Sequence, residues 1–417
     1  MTLQLHQLTD QIEQAKLRSA DRAREKGARL PGAIDALHRA ALDQDLLSKA
    51  ERFSRARWRG AIPAQESLDL HAAADSMPLE ATIVGVDGSQ IYPDLHAPAL
   101  YYALNLGYFI GRLGRRETDS GSSAELVVDE ERVCPGGEIL SAAALNAKRS
   151  VGELTLLATL CLGELRPHSA ASPPPAVLGL LDGSLALNLP REGMRSDERS
   201  QLERQYLASL EGLGEKQVPV AGYVSRPWGS PVLALLGLCQ AVASDLEKRP
   251  GAPQGSQAPH DLANPFRPLA DREVFAEFLP PGERSALFEH SSDANEPFRR
   301  TPLSHIPGTT HSTHFFYLNV GRESASIARV DIPAWVAKSP RHLGLVHTLV
   351  LDQCRVTLSD PYPYALIRAD EEAVVRSEEK RHLEAMIQSG LMAEGLEAVP
   401  SEKLAQKGKA RYRTGSR

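Results

Sequence analysis

The chain has 417 residues, with 47 Lys and Arg against 53 Asp and Glu and a formal charge of −6. This balance excludes a globally basic nucleic-acid coat, though not a local basic groove, and 42% hydrophobic residues exclude a chain disordered throughout. The four cysteines, Cys134, Cys161, Cys239 and Cys354, form no CxxC pair, which excludes a disulfide framework and a zinc ribbon.

The first residues mix charges into their apolar positions, and no run reaches the roughly 18 apolar residues of a membrane span. The expectation is a cytoplasmic protein with no membrane attachment. Leu5, Leu8 and Ile12 at helical spacing, followed by dense charge, predict a helical N-terminal extension over 1–75. From 81 the pattern becomes that of strands. ATIVGVDGS (81–89) is a continuous apolar run ending in Asp-Gly-Ser, the signature of a buried strand that delivers its last residues to a sheet edge. ALYYALNLGYFIGRL and AELVVDEERV predict two further strands joined by a polar turn over 114–123.

The Ala- and Leu-rich stretch 141–165 predicts a helix closed by a Pro-rich loop at 172–175, and AVLGLLDGSL then gives a second apolar strand ending in Asp-Gly-Ser. A charged helix (196–213), a strand (218–224) and an apolar helix (231–246) follow. Three strands, helix, strand, helix, strand, helix is the connectivity of an RNase H-like α/β fold, a mixed five-stranded sheet flanked by helices. Residues 248–310, rich in Pro, Gly and Ser, read as an irregular excursion with a helical piece at DREVFAEF. A hairpin turning near Gly321 and helices over 340–356 and 364–389 complete a domain spanning 80–390. A basic tail, 391–417, ends the chain.

A carboxylate at the end of a buried strand stands where open α/β sheets bind ligands. Asp87 and Asp182 both do so, each followed by Gly-Ser. If their strands pair, both carboxylates reach one hard divalent cation, Mn²⁺ or Mg²⁺. Asp-Gly-Ser is also ordinary turn chemistry. The intervening helix offers Glu153 or Glu164 as a third acid; Glu153 is alternatively a surface partner of Arg149 at i, i+4. Near the C-terminus, Pro363 suits a helix start, which places Asp370 on a face shared with Leu366 and Ala373, with Tyr362 just ahead to hold a phosphate or water. Capping and an exposed acid are the plainer roles there.

Together GVDGS (85–89), Arg149 and Glu153, LLDGSL (180–185), AGYVSRP (221–227), ARVDIPAW (328–335) and YPYALIRAD (362–370) resemble the motifs of the NurA nucleases. The resemblance runs in order from about 80 to 390. It implies an RNase H-like, Mn²⁺-dependent deoxyribonuclease that degrades DNA from 5′ ends, works with a HerA-type hexameric translocase in end resection, and forms a homodimer. It further implies Asp87, Glu153 and Asp182 as metal ligands, Tyr362 as the family's tyrosine, and Asp370 as a fourth ligand where the family commonly has histidine. In the mechanism so implied, Asp87 and Asp182 share two cations about 4 Å apart, one activating water and the other stabilising the leaving oxygen.

Arg226 can hold a DNA phosphate and Trp228 can stack on a base, the alternative being a loop arginine that covers a tryptophan. Arg112, Arg115 and Arg116 read as a solvated turn. His311 and His314 are three apart in a strand and so cannot share a metal. Phe315 to Tyr317 read as sheet core. Neither a Walker sequence nor a GxSxG elbow is present, which disfavours ATP hydrolysis and a serine hydrolase. The rivals to a DNA nuclease are a non-catalytic adaptor that binds DNA ends or the translocase, and a nuclease acting on RNA or RNA–DNA hybrids.

Overall fold

The computed structural model describes residues 5–43, 45–48, 59–77, 80–97, 99–115, 117–165, 176–248, 264–322, 325–357 and 360–395. The Pro-rich loop at 172–175, Arg116, residues 249–263 at the start of the expected excursion and all but the start of the basic tail lie outside the described residues.

In chain order the elements are α1 (Thr9–Leu42), β1 (Gly60–Pro63), β2 (His71–Ala72), β3 (Ala81–Ile91), β4 (Tyr102–Leu113), β5 (Glu117–Val127), α2 (Glu130–Val133) and α3 (Ala142–Gly163). Next come β6 (Ala176–Asp182), α4 (Ser196–Glu215), β7 (Val220–Val224), α5 (Pro231–Lys248), α6 (Asp271–Phe278), β8 (Arg284–Ser285), β9 (Phe288–Ser291) and α7 (Glu296–Arg300). The chain ends through β10 (Thr313–Asn319), β11 (Ile327–Pro333), α8 (Ala334–Ala337), α9 (Pro340–Val356), α10 (Tyr364–Ala373) and α11 (Ser377–Ala393). No helix among the described residues is long and apolar enough to cross a membrane.

The chain divides into two compact units, one of residues 1–76, 223–302 and 308–361, the other of 77–222, 303–307 and 362–417. These boundaries cut across the division expected from sequence at 1–75, 80–390 and 391–417.

In the first unit β10 pairs antiparallel with β11 over Thr313↔Pro333 to Asn319↔Ile327, and β9 and β8 pair with β10. β1 pairs with β9, so residues 60–63 and 288–291 are sheet rather than extension and excursion. Arg284 seals this region by donating to both oxygens of Glu66, at 2.9 and 2.8 Å. Short, Gly- and Pro-flanked strands carry too few alternating residues to show in sequence. Phe315, Phe316 and Tyr317 are buried sheet core. Ala33, Ala36, Leu37, Ala40 and Ala41 form the buried stripe of α1, in one cluster with α5 residues such as Leu235 and Leu236. Of the apolar residues read near the N-terminus, Leu5 and Leu8 precede α1, and Ile12, on it, is 60% exposed.

The second unit holds the mixed RNase H-like sheet, in the order β6-β3-β4-β5, with Val220–Gly222 of β7 beside β6. β3, β4 and β5 form an antiparallel meander, and β6 pairs parallel with β3. Residues 81–86 are all buried because helices pack against both faces of β3, α3 on one and α10 on the other. Three expectations are corrected here. β3 does not stop at its Asp-Gly-Ser but continues to Ile91. The polar stretch from Glu117 is strand rather than turn: β5 is exposed along nearly its whole length, so no apolar alternation marks it, and DEERV instead enters α2. The helix expected over 364–389 breaks after Ala373, where Val374 leaves helical geometry and α11 starts afresh at Ser377.

Candidate active site

The acidic edge of the second unit is built by strand register. The parallel pairing of β3 with β6 runs from Ala81↔Ala176 to Val86↔Leu181, which sets Asp87 and Asp182 at the same level on neighbouring strands. After Asp182 the chain turns away through Gly183, whose φ of +92° is one L side chains rarely adopt. Tyr206 of α4 holds that turn by donating to the Leu185 carbonyl at 2.7 Å.

Gly88 has a different task. It lies within the β3 ladder opposite Leu106, and a Cβ there would sit 2.6 Å from Glu153 Oε1 and 2.9 Å from Arg149 Cγ. The missing side chain is what admits Glu153. At Gly85 and Gly107 a Cβ would instead meet the backbone of α10, 2.5 Å from Ala365 O and 2.3 Å from Ala369 O. These contacts fix which face is which. Successive strand residues alternate sides, so Asp87, in register with Gly107 and of the same parity as Gly85, points to the α10 face, while Glu153 approaches β3 from the α3 face.

Asp87 accepts from the Gly88 amide at 2.7 Å. Burial pushes its pKa up to about 6, and the charges of Asp182 and Asp370 push the same way, while the Gly88 hydrogen bond and Arg149 oppose them. Tyr362, one residue before Pro363 at the N-terminus of α10, donates its hydroxyl to Asp182 Oδ1 at 2.6 Å. Burial and then the Asp182 charge hold its hydroxyl protonated far above the usual tyrosine range. Asp370 is exposed, not turned inward with Leu366 and Ala373 as the helix spacing suggested, yet its charge reaches both Asp87 and Tyr362. The reason lies in the tight seating of α10, whose inward positions are taken by Ala365, Leu366, Ala369 and Ala373.

Glu153 is 6% exposed, and burial pushes its pKa up to about 7; Arg149 opposes this and the charges of Asp87 and Asp182 reinforce it. Its Oε1 lies 3.1 Å from Arg149 Nε, within ion-pair range, but the angle makes no hydrogen bond and both atoms are left without one. Arg149 spends its Nη1 on the Gly88 carbonyl at 3.1 Å and on Gln90 at 3.0 Å, cross-linking α3 to β3. Sequence reading treated Arg149 only as a possible partner for Glu153; nothing in the spacing reveals this second attachment. The other helix acid, Glu164, is held by Arg112 through two hydrogen bonds of 2.8 and 2.6 Å. Arg112 is therefore part of that pair rather than of a solvated turn, while Arg115 lies 3.6 Å from Glu80.

The structure thus brings Asp87, Asp182, Tyr362 and Asp370 to one face and sets Glu153 against the other. Among the described residues no group of three or more His, Cys, Asp and Glu side chains is arranged to hold a metal ion. The donor chemistry nevertheless fits a hard divalent cation. The site offers carboxylate oxygens, burial and then neighbouring like charges raise the pKa of Asp87 and Glu153, and a buried carboxylate oxygen lacks a hydrogen-bond donor. His311 precedes β10 and His314 lies inside it, in the other unit. Arg226 and Trp228 also fall in that unit. An arginine does cover Trp228, but it is Arg272, 3.9 Å from the ring centroid, which no local spacing in the sequence could indicate.

The family described as NurA domain matches residues 81–375. Among solved structures the chain is similar to the NurA nuclease from Sulfolobus solfataricus, at 14% identity, covering 90% of this chain and 98% of that one, with a TM-score of 0.40. It is also similar to NurA bound to dAMP and manganese, at 12% identity, covering 91% and 96%, with a TM-score of 0.37. A third likeness is to NurA with manganese, at 11% identity, covering 92% and 98%, with a TM-score of 0.36. No curated protein matches the chain.

Proposed function

Given that this chain belongs to the NurA family, we propose that it is a metal-dependent deoxyribonuclease that hydrolyses phosphodiester bonds of DNA. The observation that carries this reading is the β3–β6 register, which sets Asp87 and Asp182 side by side, within electrostatic reach of Asp370 and Glu153. Asp87, Asp182 and Asp370 would hold the cation from the α10 face, Mn²⁺ with Mg²⁺ as the alternative, and Glu153, seated on the α3 face, would join them by a change in its side-chain position. When bound, the cation supplies Lewis-acid activation of water and neutralises charge at the scissile phosphate.

The chain's own groups do the positioning. Tyr362 fixes the orientation of the Asp182 carboxylate through its hydroxyl. Arg149 locks α3 onto β3 at Gly88, which keeps Glu153 seated against the strand. The Gly88 amide orients Asp87.

The activity is a 5′–3′ exonuclease with single-strand endonuclease cleavage, working in DNA end resection and repair as a cytoplasmic homodimer. A HerA-type hexameric ATPase, the partner that the family resemblance implies, is the proposed translocase. A second reading, a non-catalytic adaptor for DNA ends or the translocase, is favoured by one observation: Glu153 lies on the sheet face opposite Asp87. One assay separates them. Purified full-length chain is incubated with end-labelled single- and double-stranded DNA and RNA in Mn²⁺, Mg²⁺ or EDTA. Cleavage of DNA in Mn²⁺ and none in EDTA supports the nuclease; DNA binding without cleavage under every condition establishes the adaptor.

A further inference from the structure

Trp228 is 76% exposed, whereas Trp335 is 3% exposed. A single exposed apolar side chain is ordinary by itself; what sets Trp228 apart is the rigid, cationic setting of its ring. The loop 225–230 that carries it is firmly anchored. Pro227 is buried, the Gly229 carbonyl accepts from the Asp271 amide at 3.1 Å, and Ser230 Oγ accepts from Asn264 Nδ2 at 3.2 Å. The fully buried Asp271 carboxylate then accepts from Val232 N at 2.8 Å and Leu233 N at 2.9 Å, fixing the start of α5 directly after the loop. The next residue, Arg272, lays its guanidinium over the indole at 3.9 Å. Consecutive residues of α6 thus anchor the loop and cover one face of its ring, and the rest of the indole is left to solvent.

Arg226, two residues before Trp228, is exposed and holds a left-handed backbone conformation (φ +47°), a placement that non-glycine residues rarely adopt without a constraint. Neither Arg226 nor Arg272 has a carboxylate partner among the described residues, and Ser225 to Ser230 contain no acid. An aromatic face flanked by two uncompensated guanidiniums suits a base with its phosphate and repels an acidic partner.

We propose that Trp228, with Arg272 beneath it and Arg226 beside it, is a stacking platform for an unpaired base of single-stranded DNA. Base pairing in a duplex hides the base faces within the stack, so the platform discriminates single strand from duplex. The DNA-nuclease reading supplies the identity of the polymer, and the proposal rests on it to that extent.

The test uses the full-length chain in EDTA, so that nothing is cleaved. Binding of a fluorescein-labelled oligo(dT) and of a duplex of equal length is followed by anisotropy for wild type, Trp228→Ala, Trp228→Phe and Arg272→Ala. Trp228→Ala is expected to weaken oligo(dT) binding about tenfold and duplex binding less than about twofold, with Trp228→Phe retaining most of the affinity. Oligo(dT) should quench indole emission in wild type, and the quenched component should be absent from Trp228→Ala. Equal oligo(dT) affinity for wild type and Trp228→Ala, without quenching, would overturn the platform. Metal-dependent cleavage would in that case still stand for the nuclease reading, whereas a wild-type chain that neither binds nor cleaves DNA would remove both.

Discussion

Asp87 and Asp182 each stand one residue beyond the last register pair, Val86↔Leu181, of two parallel neighbouring strands. Strands of a sheet lie about 4.8 Å apart, so two carboxylates at matching levels repel each other unless a cation or protons intervene. Asp87→Asn and Asp182→Asn are therefore expected to reduce cleavage below about 1% of wild type while the chain stays folded, as circular dichroism would show. Appreciable residual cleavage by either variant would count heavily against a shared cation.

Burial of carboxyls beside one another also has a signature in stability. Asp87 and Glu153 have folded-state pKa values raised to about 6 and about 7. A raised carboxyl favours the folded state fully below its unfolded value, near 4, and that contribution is lost as pH climbs through the raised value. Without divalent metal, Glu153→Gln should accordingly be more stable than wild type at pH 8, by up to about 3 kcal/mol, with the two converging toward pH 4. Urea titrations in EDTA at both pH values measure this; a variant no more stable at pH 8 contradicts the burial of a charged Glu153.

Gly88 is the point where the strand backbone makes room for Glu153. Gly88→Ala would place a methyl group 2.6 Å from Glu153 Oε1 and 3.0 Å from Leu106 Cδ2. Overpacking of this sort costs about 1–3 kcal/mol, and here the most movable neighbour is Glu153 itself. Cleavage should fall by orders of magnitude while the melting temperature drops by only a few degrees. Full activity in this variant would show that the seat of Glu153 does not matter to the chemistry.

Asp370 tests the fourth ligand. Asp370→Ala should lower both cleavage and affinity for Mn²⁺, read by calorimetry, and Asp370→His should restore part of each because imidazole is also a metal donor. Unchanged metal affinity in the alanine variant would leave Asp370 as an exposed helix acid beside Glu371.

How much of this was legible beforehand follows the range of each interaction. The runs 81–86 and 176–181 announce β3 and β6 as nearly unbroken apolar stretches, although not that β3 goes on to Ile91, and α3 declares itself by composition. β5 does not, since an exposed edge strand has no apolar period to read. The Asp-Gly-Ser pair was visible as a repeat, but not that its two glycines differ, Gly183 supplying a left-handed turn and Gly88 an opening for a side chain from another element. Arg112 with Glu164, and Arg272 over Trp228, are tertiary pairings that no local pattern encodes.

The hydrogen bond from Tyr362 to Asp182 spans 180 residues of chain. Ribosomes add residues from the N-terminus, and contacts distant in sequence form only after the intervening chain exists. β3 and β6 can pair early, yet Tyr362 and the whole of α10 reach the acidic edge only after all the intervening chain has been made. A nascent chain that has not yet reached α10 therefore carries its carboxylates without the tyrosine that orients one of them and without the helix that covers their sheet.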